Sequence, residues 1–320
     1  MELRDTFDRK IDYIRVSVTD RCNLRCIYCM PAGSPPRCVK PSRVLKTEKL
    51  LAFLKIAKKY GLRKIRLTGG EPLLRKDIVR LVRSIKEIGV EDVSLTSNGQ
   101  LLPFFITDLK EAGLDRVNIS MDSLRPERYK SITGGGRLRE VWRAISLADK
   151  AGLAPVKINM VPIRGVNDDE IVEFARLTLE RDWHVRFIEL MPVGCEKFDG
   201  RRVTAERARA SILNSNFKTG GLVFLGRNGS SANYKLAGGK GVLGFISPMS
   251  EHFCDSCNRL RITAAGKIKP CLFSDYEADI NAAADESELE RLLLLSVSSK
   301  AKGSLLKKVV PCEAMSQVGG

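Results

Sequence analysis

Histidine is scarce in this chain, at 2 of 320 residues. A structural zinc site wants four ligands, and imidazole could help beside the cysteine groups only through His252. Aromatic residues make up 6%, whereas a nucleic-acid groove needs stacking platforms interleaved with its basic side chains. No apolar run approaches the roughly 18–20 residues of a membrane span; the four leucines at 292–295 lie in a charged helical stretch. The N-terminal residues 1–10 have no apolar core, so no secretory signal is expected. The expectation is a cytoplasmic chain without a membrane partner. In a reducing compartment its nine cysteines are not disulfide staples. A long basic tail is missing too: the net charge of +16 is spread along the chain. That charge favours an anionic partner without choosing its kind.

What is present is grouped cysteine. Three residues separate Cys22 from Cys26, and two separate Cys26 from Cys29. Three thiolates can hold three corners of a cubane iron–sulfur cluster, which takes four ligands when closed. One iron then keeps an open position, where chemistry happens. Cys254-x2-Cys257-x13-Cys271 is a second group of three. It reads either as a second open cluster or as half a zinc ribbon completed by His252. Cys38, Cys195 and Cys312 are scattered and read as ordinary thiols.

Strand-like runs at 12–18, 64–68, 92–96, 115–121, 155–161 and 185–191 alternate with helical patterns at 48–60, 77–88, 104–112, 138–151 and 168–180. Such a rhythm predicts parallel strands with crossover helices. Six strands are fewer than the eight of a closed barrel. The expected fold is therefore α/β, a partial (β/α)6 TIM-like barrel, with a flat doubly wound sheet as second choice. From about residue 218 short strands are broken by glycine. Runs at 259–263 and 267–271 flank Ala264-Ala265-Gly266, a hairpin signature, and 285–301 reads as a helix. The expected division is a barrel domain over 1–217 and a smaller α+β domain over 218–320. Residues 32–47 read as a connection.

Buried parallel strands are usually apolar on both faces. Here Lys64, Arg66 and Thr68 alternate with Ile65 and Leu67; Arg116, Asn118, Ser120 and Asp122 alternate with Val117, Ile119 and Met121; Lys157 and Asn159 alternate with Val156, Ile158 and Met160. One face suits the helices. The other would line the barrel with cations, which must be salt-bridged, wet or bound to an anion.

Three smaller motifs complete the reading. Gly69-Gly70-Glu71-Pro72 follows the second strand, and its glycines allow a close backbone approach. Arg259 and Arg261 in Asn258-Arg259-Leu260-Arg261 share a strand face, which suits phosphate oxygens. The chain closes on Gly319-Gly320, a thin tail able to enter a crowded site or simply to fray.

Cys22-x3-Cys26-x2-Cys29 resembles the radical S-adenosylmethionine superfamily, in which the open iron binds the methionine moiety and reductive cleavage yields a 5′-deoxyadenosyl radical. With the second cysteine group around Asn-Arg-Leu-Arg and the closing Gly-Gly, the chain from about residue 12 onward resembles the GTP 3′,8-cyclase family of molybdenum cofactor biosynthesis. The resemblance implies two 4Fe-4S clusters, held by Cys22, Cys26 and Cys29 and by Cys254, Cys257 and Cys271. It implies S-adenosyl-L-methionine contacts at Tyr28, Gly70, Ser120 and Met191. It implies GTP contacts at Arg15, Lys64, Arg66, Thr96, Lys157, Arg186, Arg259, Leu260 (through its backbone) and Arg261. Catalytic roles fall to Arg259, Arg261, Gly319 and Gly320. The implied partners are GTP, an external low-potential electron donor, the downstream cyclic pyranopterin monophosphate synthase and a second copy in a homodimer, with no nucleic acid. The chain departs from the family at Gly303-Ser304, where many members carry Gly-His, and at Ser97, where many carry Thr.

Two other classes stay open on sequence alone. One is a radical enzyme modifying RNA or a peptide. The other is a metal-binding module contacting nucleic acid, although a structural module would close its coordination.

Overall fold

The computed structural model describes residues 2–29, 39, 44–191, 200–215 and 221–303. Strands β1 (Tyr13–Ser17), β2 (Lys64–Thr68), β3 (Asp92–Ser97), β4 (Arg116–Ser120), β5 (Lys157–Met160) and β6 (His184–Ile188) pair in sequence order, all parallel. The crossovers carry helices α1 (Thr47–Lys59), α2 (Ile78–Glu87), α3 (Ile106–Glu111), α4 (Pro126–Thr133), α5 (Leu138–Lys150) and α6 (Ile171–Glu180). Strand residues such as Ile14, Ile65, Leu67, Val93, Val117, Ile119, Ile158 and Val185 are buried together with helix residues such as Leu54, Leu81, Leu109, Ile145 and Phe174. Each such side chain contributes roughly 1.5–3 kcal/mol on leaving water, so the apolar half of the strand alternation fixes which face meets the helices.

The rest of the chain adds α7 (Ala205–Leu213), β7 (Leu222–Asn228), β8 (Ser231–Leu236), β9 (Val242–Ile246), β10 (Arg259–Ile262), β11 (Lys267–Lys269), β12 (Ala278–Asp279) and α8 (Glu286–Ser298). These strands extend the barrel sheet at both edges. β9 lies parallel to β6 and β10 parallel to β1. Antiparallel pairs continue outward, β8 and β7 beyond β9, β11 and β12 beyond β10. The sheet order is β12-β11-β10-β1-β2-β3-β4-β5-β6-β9-β8-β7, and among the described residues its end strands β12 and β7 are not paired with each other. The partial barrel is thus as expected, with its free edges covered by the C-terminal strands. Among the described residues no helix is long and apolar enough to cross a membrane.

Parallel register stacks the charged positions. Arg261 of β10 lies opposite Arg15 of β1, Arg15 opposite Arg66 of β2, and Arg66 opposite Ser94 of β3. Three guanidinium-bearing residues therefore form one row across the sheet.

Candidate active site

The first cysteine loop leaves β1 and runs against the loop that follows β2. Gly70 N donates to Thr19 O at 2.7 Å, and Glu71 N to Arg21 O at 2.7 Å. A Cβ on Gly69 would stand 2.2 Å from the Thr19 carbonyl oxygen, and one on Gly70 2.2 Å from that of Arg21. The glycine pair thus admits neighbouring protein backbone, while Gly70 also faces the cavity described below. Glu71 is fully buried. Its carboxylate accepts from Leu73 N, from the Ser97 hydroxyl and from Asn98 N. It fastens the ends of β2 and β3 together, and these three donors occupy it. Ser97, the departure from the family pattern, makes one of these bonds at 2.9 Å.

The cysteine loop is held from its other side by α4, a helix not anticipated from the sequence. Arg25 N and Ile27 N donate to Thr133 O and Ile132 O, both at 2.9 Å. Cys22 Sγ accepts from Leu24 N at 3.4 Å and from Asn98 Nδ2 at 3.8 Å. Such donors orient a sulfur ligand and tune what it binds.

A cavity of about 310 Å³ is lined by all six grouped cysteines, Cys22, Cys26, Cys29, Cys254, Cys257 and Cys271. Residues nearly 250 positions apart in sequence thus share one chamber. Tyr28, Gly70, Ser120 and Met191 line it, as do Arg15, Arg66, Thr96, Arg186, Arg259 and Arg261. Lys64 and Lys157 are not among the lining residues. Each precedes a lining residue, Arg66 or Asn159, by two positions on its strand, which puts it one layer deeper on the same face. The Leu260 side chain is buried in the apolar core. Gly319 and Gly320 lie outside the described residues.

The chamber is electrostatically positive. Arg186 donates to Asn159 Oδ1 at 2.9 Å and Asn118 Oδ1 at 2.6 Å, both uncharged acceptors. Burial, reinforced by Arg66, lowers its pKa to about 9. Burial and then Arg259 lower Arg261 to about 10. Arg15 is pushed well down by burial and by Arg261. Lys157 falls to about 7 through burial and the nearby Arg186. Arg259 lies over the Phe253 ring at 5.3 Å, and Arg66 over Tyr13 at 5.6 Å. Salt-bridged cations, the alternative raised by the sequence, are found at Arg116, which pairs with Asp92. Thr96 Oγ1 and Glu189 Oε1 are buried at this site without hydrogen-bond partners, which suits a ligand bearing both donors and acceptors.

The cysteines fit cubane clusters by their chemistry. Each set offers three thiols to one chamber. Among the described residues no three ligating side chains converge on a single ion; a cubane asks for less convergence, since each iron takes its own thiolate. Cys257 is prepared for ligation: burial would raise its pKa, but Lys300 and Arg259 outweigh burial and bring it to about 7. Cys26 is held well above the ordinary thiol range by burial and Asp122, so binding metal there releases a proton. His252 Nδ1 lies 2.8 Å from the Pro248 carbonyl oxygen.

Comparison with known proteins agrees with this geometry. The pattern of the Radical SAM superfamily matches residues 16–178, and that of Molybdenum Cofactor Synthesis C matches 183–305. The fold is shared with Streptococcus suis SuiB bound to S-adenosylmethionine, at TM-score 0.58 and 15% identity, over 88% of this chain and 66% of that one, just under two thirds of its length. The anSMEcpe structure with bound AdoMet gives TM-score 0.55 and 16% identity over 87% and 79%. An incomplete barrel with three cysteines after its first strand makes this a radical S-adenosylmethionine enzyme. GTP 3′,8-cyclase of Heliobacterium modesticaldum is 49% identical over 92% of each chain, and that of Moorella thermoacetica 48% identical over 99% of this chain and 100% of the other. The chain belongs to the GTP 3′,8-cyclase family, whose place is the first step of molybdenum cofactor biosynthesis, and its cofactors are two 4Fe-4S clusters and S-adenosyl-L-methionine.

Several site residues were not singled out beforehand. Asn118 and Asn159 hold Arg186; they stood in the polar strand alternation, but nothing local marks them as its acceptors. Asn98 reaches a cysteine ligand through a turn. Glu189 sits directly after β6 and left no signal of its own.

Proposed function

We propose that this chamber cyclises GTP, joining ribose C3′ to guanine C8 to give (8S)-3′,8-cyclo-7,8-dihydroguanosine 5′-triphosphate. The observation that carries the reading is the meeting of both cysteine groups and the arginine row in one chamber. A reduced cluster with S-adenosyl-L-methionine supplies a radical able to take an unactivated hydrogen.

The barrel part, 1–217, holds the first cluster through Cys22, Cys26 and Cys29, with Tyr28, Gly70, Ser120 and Met191 shaping the S-adenosyl-L-methionine pocket. The part over 218–320 holds the second through Cys254, Cys257 and Cys271, beside the guanine. Arg15, Arg66, Arg186, Arg259 and Arg261 neutralise the triphosphate, with Lys64 and Lys157 reinforcing the field from the layer beneath. Thr96 and the Leu260 backbone complete the nucleotide contacts. Each charged hydrogen bond is worth roughly 1.5–3 kcal/mol, enough to select nucleotides by phosphate count. A catalytic role for Gly319 and Gly320, which lie outside the described residues, belongs to the same reading. The residues' main service is geometric: they hold the ribose against the radical source and keep water from the reacting carbons.

The enzyme works in the cytoplasm as a homodimer. It takes electrons from a low-potential donor and passes its product to cyclic pyranopterin monophosphate synthase. No nucleic acid or membrane takes part. The test is anaerobic incubation of the reconstituted enzyme with reductant, S-adenosyl-L-methionine and either GTP or RNA. Formation of 5′-deoxyadenosine with an isomer of GTP supports the reading; a modified RNA with untouched GTP refutes it.

A further inference from the structure

Lys300 follows α8 and is buried, with 5% of its surface exposed. An ammonium has three hydrogens to donate, and three acceptors surround this one. They are Arg259 O at 2.8 Å, Pro270 O at 2.9 Å and Cys257 Sγ at 3.8 Å. Arg259 opens β10, two residues after Cys257, and Pro270 stands directly before Cys271. One side chain thus ties together the two arms of the hairpin that bear those ligands.

The charge on Lys300 needs explaining. Burying an ammonium costs several kcal/mol unless an anion pairs with it. Glu277 is engaged by Lys269 at 3.0 Å and Asp5 by Arg9 at 2.6 Å. The charged groups acting on Lys300 are Cys257, Cys271, Arg9 and Arg259, and of these only the sulfurs can be negative. Arg9 adds to the same frame by donating to Cys254 O and Ala301 O, both at 2.7 Å.

We propose that Lys300 is a positioning residue for the C-terminal cysteine set, acting as the fixed countercharge of its thiolates. The proposal rests on the assignment of a cluster to Cys254, Cys257 and Cys271. Hydrogen bonds and positive charge at the sulfurs stabilise the reduced, more negative cluster, so Lys300 sets how readily this cluster accepts an electron. The first cluster, with its own donors at Cys22, is outside its reach.

The experiment compares wild type, Lys300→Met and Lys300→Arg as reconstituted holoenzymes. Iron and sulfide are counted, both clusters are titrated by electron paramagnetic resonance, and cleavage of S-adenosyl-L-methionine without GTP reports the first cluster. Lys300→Met is expected either to lose iron from one cluster only or to shift one midpoint downward by at least tenfold in the reduction equilibrium, about 59 mV for one electron. Lys300→Arg is expected to keep the iron and stay within threefold of wild type. The proposal is overturned if Lys300→Met retains all its iron and both midpoints, if it loses both clusters alike, or if Lys300→Arg is as impaired as Lys300→Met. A wild type carrying a single reducible cluster would remove the cluster assignment, and this proposal with it; the wild-type titration reads that outcome separately.

Discussion

Tyr28 donates a 2.7 Å hydrogen bond to Asp122, joining the cysteine loop to the end of β4. Asp122 also accepts from Val161 N at 2.9 Å, so one carboxyl gathers three elements. Burial raises its pKa to about 6. A carboxyl with a raised folded pKa favours the fold while protonated. Its contribution is full below pH 3.8 and is lost as pH rises through about 6. Urea titration of the apoprotein should therefore show stability falling between about pH 4 and 6 by on the order of 3 kcal/mol from this group. Asp122→Asn should shed that portion of the slope. Glu71, raised to about 7 by burial, keeps a slope of the same sign in the variant. Identical slopes in both proteins would contradict the assignment.

Gly70→Ala should damage the first cluster. The new methyl would lie 2.2 Å from the Arg21 carbonyl oxygen, which is backbone and cannot swing away. The expected result is loss of about half the iron, with destabilisation above roughly 3 kcal/mol, in the range reserved for gross overpacking. Gly165→Ala is the control: its φ of +72° strains a side chain, but nothing stands within 4 Å. It should cost about 1 kcal/mol and keep its iron.

Lys157 should make nucleotide binding sensitive to pH. Its pKa in the free enzyme is about 7, so it is charged below neutrality and loses its proton above. An anionic triphosphate favours the charged form, so binding takes up a proton and GTP affinity falls as pH rises past 7. Calorimetry should find a decline of up to about tenfold per pH unit. Lys157→Arg, permanently charged, should flatten the profile. A wild-type affinity independent of pH between 6.5 and 8.5 would remove Lys157 from the nucleotide's field.

Cys254→Ala should remove about half the iron and stop GTP conversion while leaving reductive cleavage of S-adenosyl-L-methionine measurable. Unchanged cyclisation would exclude the second cluster from the reaction.

Removing Gly319 and Gly320 should spare both clusters and abolish product. Normal turnover by the shortened chain would show that the tail plays no part.

Much of this architecture was legible because it is local. The alternation in β2, β4 and β5 announced strands with one apolar and one polar face, and Lys64–Thr68 is bounded where the pattern places it. Arg66 and the six cysteines, which the strand alternation and the spacing singled out, line one cavity with Arg15, which only the resemblance had named. What the pattern missed depends on distant partners. α4 is short, and α7 begins after a stretch with little periodicity. The pairing of β10 with β1 joins residues from opposite parts of the chain, and no local period encodes it. Glu71 is held by three donors from its own turn and the end of β3, partners that no local pattern announces. Lys300 and Arg9 lie near the two ends of the chain and become neighbours only once β10 has paired with β1.

The strands that flank β1 and β6 carry a practical consequence. A gene cut after codon 217 would yield a barrel with two raw margins, each a row of unsatisfied amide and carbonyl groups. Such a fragment should self-associate and precipitate instead of surviving as a miniature enzyme, and co-expression of the missing piece should rescue its solubility.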